Sequence, residues 1–249
     1  MTADHPSGPE LYDLEHGETD RDDVPFYVDR AEAADGPVLE LACGTGRVHL
    51  PLLRAGVGAD GLDRDPATLA RLREKATREG LAASVWTADM TALAVDRAYD
   101  LVVCPFNALQ HARTLPAQRA TLAGVYDALA PGGRFVFDVF VPSFDVVCEH
   151  YGEWDRRTVV HEGREYRLRS RTTLADEPEQ RFVVDSEVVA PDGETVQERR
   201  AELAMLPKPH VELLADGSRF ATHSVAGGFD GGPLRDGDHV QVWTLTRQG

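Results

Sequence analysis

Three carboxylates, two glycines and a histidine are the side chains of this sequence whose spacing suits binding and reaction. Glu40 lies in the apolar run of "LELACGTGR" (39–47), Gly44 and Gly46 follow it with one residue between them, and Asp63 ends "GADGLD" 17 residues after Gly46. Asp89 follows a further β-rich run in "TADM", and His111 ends "CPFNALQH". A glycine pair directly after an apolar run marks a backbone that turns sharply or lies against a ligand. An acid at the tip of the next strand can accept both hydroxyls of a ribose. Histidine, titrating near neutrality, is the usual general base.

Two well-known loops do not fit the glycines. A dinucleotide fingerprint read from Gly44 demands a small residue at position 49, where His49 stands, and a P-loop demands a lysine that is nowhere near. No metal is expected either. Cys43, Cys104 and Cys148 are widely spaced, with no CxxC pair, and His161-Glu162 is not part of an H-E-x-x-H helix. The cysteines read as small reduced core residues.

The elements that position these residues alternate. Short β-rich runs ("PVLELAC", "VGADGLD", "AASVWTA", "AYDLVVCPF", "GRFVFDVFV") are separated by helical patterns, which predicts a parallel sheet with helices on both faces. One helix has Asp65 as N-cap, Pro66 at its first position, a stripe of Leu69, Leu72 and Ala76, and Gly80 as its stop. Another follows Pro116, with Leu122, Val125, Tyr126 and Leu129 at helical spacing and "PGG" behind it. A helix opening near Arg47 is weakened by Pro51, and one is expected over "VPFYVDRAEAA". Beyond residue 150 the rhythm becomes an antiparallel meander of "REYRLRSRTTL", "QRFVVDSEVVA" and "ETVQERRAELAML". A short helix at "HVELLA" and strands at "RFATHSV" and "HVQVWTLT" complete the pattern.

Composition narrows the partners. The chain of 249 residues carries 42 acidic against 26 basic side chains, a net charge of −16, and only Lys75 and Lys208 are lysines. Such a surface repels nucleic acid and anionic membranes. It also resembles proteins that work in concentrated salt, where screening removes self-repulsion. No apolar stretch approaches the roughly 20 residues that span a bilayer, and "MTADHPSGPE" lacks the basic and apolar regions of a signal peptide. A cytoplasmic location is expected.

These motifs together resemble the class I S-adenosylmethionine-dependent methyltransferases. "ELACGTG" matches the family's first motif, with Ala42 where its first glycine usually stands. "GLD" ends the second strand, "ADM" at 88–90 follows the third, and "DLVVCPFNALQH" supplies the fourth with its active-site end. The resemblance covers residues 38 to 140 and implies a Rossmann-like α/β fold: a seven-stranded, mostly parallel sheet, with the antiparallel meander inserted after the fifth strand. It implies S-adenosyl-L-methionine as cofactor. Glu40 then anchors the amino group, Gly44 and Gly46 admit the methionine part beside Ala42, Asp63 takes the ribose, and Asp89 with the backbone of Met90 reads the adenine. Helix capping or a solvated loop is the plainer role for Asp63 and Asp89. Phe106 and Asn107 fall where the fourth motif faces the reacting methyl, and "CPFN" departs from the N-P-P-Y of enzymes that methylate nucleic acid bases. Tyr12 resembles the N-terminal tyrosine that folds over the cofactor in small-molecule N-methyltransferases, with core packing as its alternative. His111 is the candidate base, or a packed histidine at a helix start.

The organisation read from this is an arm over 1–25 and a methyltransferase domain over 26–249. The domain comprises a cofactor-binding core (26–142), an addition over 150–206 acting as substrate lid or dimer interface, and closing strands over 207–249. The expected function is methyl transfer to a small molecule, an amine before a carboxylate or hydroxyl, by a monomer or homodimer with no nucleic acid or membrane partner. The rivals are an RNA or protein methyltransferase and a catalytically silent cofactor-binding module. Arg167, Arg169 and Arg171 share a strand face, either as an anion site or as partners for Asp185 and Glu187.

Overall fold

The computed structural model describes residues 8–16, 22–142 and 150–249. Cys148 lies outside the described residues; Cys43 and Cys104 are buried free thiols. In chain order the elements are α1 (Pro9–His16), α2 (Asp23–Glu32), β1 (Val38–Leu41), α3 (His49–Arg54), β2 (Ala59–Asp63), α4 (Pro66–Arg78), β3 (Ser84–Thr87), β4 (Tyr99–Cys104), α5 (Leu115–Ala128) and β5 (Leu129–Phe140). There follow β6 (Asp155–His161), β7 (Arg164–Asp176), β8 (Arg181–Val189), β9 (Thr195–Ala204), α6 (Lys208–Asp216), β10 (Thr222–Ala226) and β11 (Val240–Thr246). Single 3₁₀ turns at Met90–Ala92 and Ala108–His111 follow β3 and β4. The chain divides into two units, one within 21–142 and 206–249, the other within 1–20 and 143–205.

The larger unit holds a seven-stranded sheet in the order β10-β11-β5-β4-β1-β2-β3. Strands β1 to β5 run parallel, while β11 lies antiparallel to both β5 and β10. The carboxyl ends of the five parallel strands therefore meet at one edge. The order reverses at β1, flanked by β4 and β2, which is where open α/β sheets bind ligands. The pairings Glu40 with Val103, Val103 with Val136 and Asp138 with Val242 set Glu40 and Asp138 on the same sheet face. On that face α2 and α3 bury Tyr27, Ala31, Val48 and Leu52 against Val38, Leu101, Val103, Val136 and Val242.

The local signals act as the sequence predicts. Asp65 caps α4 by accepting from the amide of Ala67 at 2.8 Å, and Leu69, Leu72 and Ala76 are buried. Thr114 caps α5, which buries Leu122 and Val125. With Pro51 at its third residue, α3 is only six residues long. "PGG" forms an irregularity inside β5, where the pairing with β4 slips between Tyr99 and Leu101.

The smaller unit is an antiparallel sheet in the order β6-β7-β8-β9. Strand β6, absent from the sequence reading, joins the three expected strands. Within the unit α1 buries Leu11 with Tyr166, Leu168, Val188 and Ala190. Register decides the arginine question residue by residue. Arg169 stands opposite Glu187 and Arg171 opposite Asp185, bonded at 2.6 and 3.2 Å, whereas Arg167 stands between Thr158 and Val189. No helix among the described residues is long and apolar enough to cross a membrane.

Candidate active site at the carboxyl ends of the parallel strands

The loop after β1 takes three left-handed residues: Ala42 (φ +54°), Gly44 (φ +54°) and Gly46 (φ +91°). The glycines are there for different reasons. A Cβ on Gly46 would stand 2.9 Å from Leu72 and 3.0 Å from Leu50, so the protein's own packing excludes a side chain. A Cβ on Gly44 would meet nothing closer than 4.0 Å, one of its neighbours at that distance being the carboxylate of Asp63. Gly44 thus leaves open room beside an acid.

Asp63 ties two loops together. Its Oδ2 accepts from the amide of Gly44 and its Oδ1 from that of Asp65, both at 2.9 Å, which leaves further lone pairs on each oxygen. Burial pushes its carboxyl above the usual range, opposed by those two amides. Asp89, exposed at the end of β3, accepts from the amide and hydroxyl of Thr91 through Oδ1, both at 2.8 Å. These bonds hold its carboxyl below the usual range. The bonds use Oδ1 alone, leaving Oδ2 as an acceptor, while Met90 beside it is buried.

Glu40 is 2% exposed, and its Oε2 lies 3.1 Å from Nδ1 of the fully buried His49. Burial pushes the Glu40 carboxyl up more than His49 pulls it down. Gly61 makes room for this pair, since a Cβ there would stand 2.9 Å from the imidazole. From the sequence His49 was only the residue that breaks a dinucleotide fingerprint. A polar residue on the inward face of a short helix was the available signal.

The loop after β4 is the most strained part of the site. Phe106 and Asn107 are consecutive non-glycine residues at φ +60° and +59°, a conformation costing about 1–3 kcal/mol each. Asparagine visits it readily; phenylalanine does not. Arg47 stacks over the Phe106 ring at 4.4 Å while gripping the buried Asp23 of α2 through two bonds of 2.9 and 2.6 Å. The Asn107 Oδ1 is buried with no hydrogen-bond partner among the described residues. His111 sits exposed at the end of the following 3₁₀ turn. Tyr12 belongs to the smaller unit, where its ring packs 4.6 Å from His16 and under Arg199 at 5.1 Å.

Residues 38–133 match the family model described as a methyltransferase domain, a span that holds the glycine loop, Asp63, Asp89 and Asn107. This segment matches a methyltransferase domain. The chain is 42% identical over 100 residues to the ribosomal protein L11 methyltransferase of Xylella fastidiosa, a match covering 40% of this chain and 30% of that protein. The chain therefore spans less than a third of that relative. Among solved structures, a S-adenosylmethionine-dependent methyltransferase from Clostridium acetobutylicum superposes at TM-score 0.75 with 16% identity, over 96% of this chain and 97% of that one. The amino pentose methyltransferase of Micromonospora echinaspora involved in calicheamicin biosynthesis, solved with S-adenosylmethionine bound, superposes at 0.72 with 22% identity over 98% and 99%. At these identities the likeness is one of fold.

The amino pentose methyltransferase binds S-adenosylmethionine, and the residues present here fit such a cofactor. A cation needs carboxylates and close backbone approach, with no phosphate cradle. The open side of Gly44, the spare acceptors of Asp63 and Asp89 Oδ2 meet that need.

Proposed function

We propose that this methyltransferase domain methylates the amine nitrogen of a small molecule. When bound, S-adenosylmethionine supplies an electrophilic methyl group on a positively charged sulfonium. Asp63 holds the ribose hydroxyls, Asp89 and the Met90 backbone the adenine edge, and Glu40 the amino group of the methionine part, with the bare backbone of Gly44 lying against it. Placing a nucleophile in line with that methyl in a dry site supplies most of the rate, so no catalytic triad is required.

The observation that carries the amine reading is the buried Oδ1 of Asn107, without a hydrogen-bond partner among the described residues, in the strained turn after β4. A buried acceptor without a donor costs about 1–3 kcal/mol. An N–H of the arriving nucleophile completes it and aims the nitrogen lone pair away from Asn107. His111, at the exposed end of the same turn, takes the proton that an ammonium form must lose first. The amino pentose enzyme resembles this chain over nearly its whole length, whereas the ribosomal protein L11 methyltransferase matches within a stretch of 100 residues.

The test is release of S-adenosylhomocysteine from S-adenosylmethionine with a panel of amino sugars and amino acids beside hydroxyl and carboxylate analogues lacking the amine. Turnover confined to amines supports the reading. Turnover of the amine-free analogues alone overturns it, and cofactor binding without turnover of any member favours the silent module. An RNA arm tests the nucleic-acid rival.

A further inference from the structure

We propose that Asp138 is a positioning residue for methyl transfer, clamping the turn that presents Asn107; the assignment rests on the methyl-transfer reading above. Asp138 lies near the carboxyl end of β5, outside the sequence motifs, and is fully buried. Its Oδ1 accepts from the amide of Phe106 and from the hydroxyl of Tyr27, both at 2.7 Å, and its Oδ2 accepts from the amide of Asn107 at 3.2 Å. The two amides it binds belong to the two residues forced into the left-handed region.

Chemistry explains why the side chain is a carboxylate. Three donors converge on it, and an ionised carboxyl presents acceptors on both atoms, whereas an amide of the same shape turns an NH₂ toward at least one donor. The Tyr27 hydroxyl stays protonated, because burial and then the charge of Asp138 push its ionisation well above the ordinary tyrosine range. Tyr27 comes from α2, and the same helix supplies Asp23 to Arg47, which stacks on Phe106. The turn is thus gripped through its backbone by Asp138 and through its phenyl ring by Arg47. The bonds of Asp138 to Phe106, Asn107 and Tyr27 involve none of Glu40, Asp63 and Asp89, so removing them should act on the reaction and spare cofactor affinity.

The test compares Asp138→Asn and Tyr27→Phe with the unaltered protein by calorimetry with S-adenosylhomocysteine, steady-state kinetics, and amide exchange of the segment 104–112. For Asp138→Asn, affinity should stay within about threefold, while kcat falls on the order of 100-fold, the scale of a misplacement near 1 Å. Exchange of the Phe106 and Asn107 amides should accelerate. Tyr27→Phe, which keeps the carboxylate and loses one donor, should show a smaller fall in kcat with the same split. Unchanged kcat and exchange in Asp138→Asn, or a loss of affinity as large as the loss of kcat, would overturn the proposal. Should the unaltered protein turn over no acceptor, the methyl-transfer reading fails by itself. Amide exchange then decides the clamp: faster exchange with retained affinity upholds it, and unchanged exchange removes it. If Asp138→Asn does not fold, the kinetics and exchange of Tyr27→Phe decide in its place.

Discussion

The amide of Gly44 donates to Oδ2 of Asp63 at 2.9 Å, fastening the glycine loop after β1 to the tip of β2. One carboxylate thereby fixes the shape of the loop and offers its remaining lone pairs to a ligand. Its removal should be felt twice, as a looser loop and as lost acceptors.

Asp63→Ala should weaken S-adenosylhomocysteine binding by about 30-fold, the equivalent of roughly 2 kcal/mol for a half-buried charged acceptor. Calorimetry showing unchanged affinity would remove Asp63 from the site. The pH dependence follows from burial, which raises the carboxyls of both Asp63 and Glu40. Each binds its proton at a higher pH in the folded protein than in the unfolded chain. Acidification through those raised values therefore protonates the two carboxylates proposed to hold the ribose hydroxyls and the amino group, so affinity should fall with pH starting above the ordinary carboxylate range. The same sign makes ionisation of Glu40 a cost to folding as pH rises from its unfolded value to its folded one.

Ala42 adopts φ +54° with a Cβ that opposes this conformation. Ala42→Gly should raise stability by about 1 kcal/mol from relief of that strain, less the entropy that glycine adds to the unfolded chain. Urea titration at matched slope measures it. A drop in the midpoint would show that the methyl group earns more from packing than its backbone loses.

His111→Ala should lower kcat by about 10²-fold near neutral pH, the usual contribution of a positioned base. The deficit should shrink as pH rises and the amine arrives already deprotonated. A pH–rate profile lying parallel to that of the unaltered protein would leave His111 as a packed or solvated residue.

The net charge of −16 with two lysines predicts a melting temperature that climbs as potassium chloride rises to molar concentration, because screening relieves repulsion among the acids. A steady fall with added salt would require another origin for the acidity.

Much of the fold was legible because its signals are local. The cap at Asp65, the stripe of Leu69, Leu72 and Ala76, the glycines of "ACGTGR" and the alternating order of strands and helices each occupy a few neighbouring residues. The edge at which the acids lie was legible for the same reason: parallel strands deliver their carboxyl ends to one edge, so Glu40, Asp63 and Asp89 could be expected there without coordinates.

Contacts between distant segments were settled only by the tertiary structure. Tyr27 and Asp138 meet across 111 residues of sequence and Phe106 and Asp138 across 32, and no periodicity in either segment announces the other. An aspartate inside "FVFDVFV" looks like a break in an apolar strand until three donors are seen around it. His49 likewise acquires its partner from the sheet beneath α3, and the split between paired Arg169 and Arg171 and unladdered Arg167 depends on a register that alternation alone leaves open. By itself the sequence determined the order of the elements and which residues lie at the carboxyl ends of the parallel strands, through short-range pattern and chain geometry. The strained turn, its buried clamp and the ion pairs required long-range packing, because burial and donor count are properties of the assembled core.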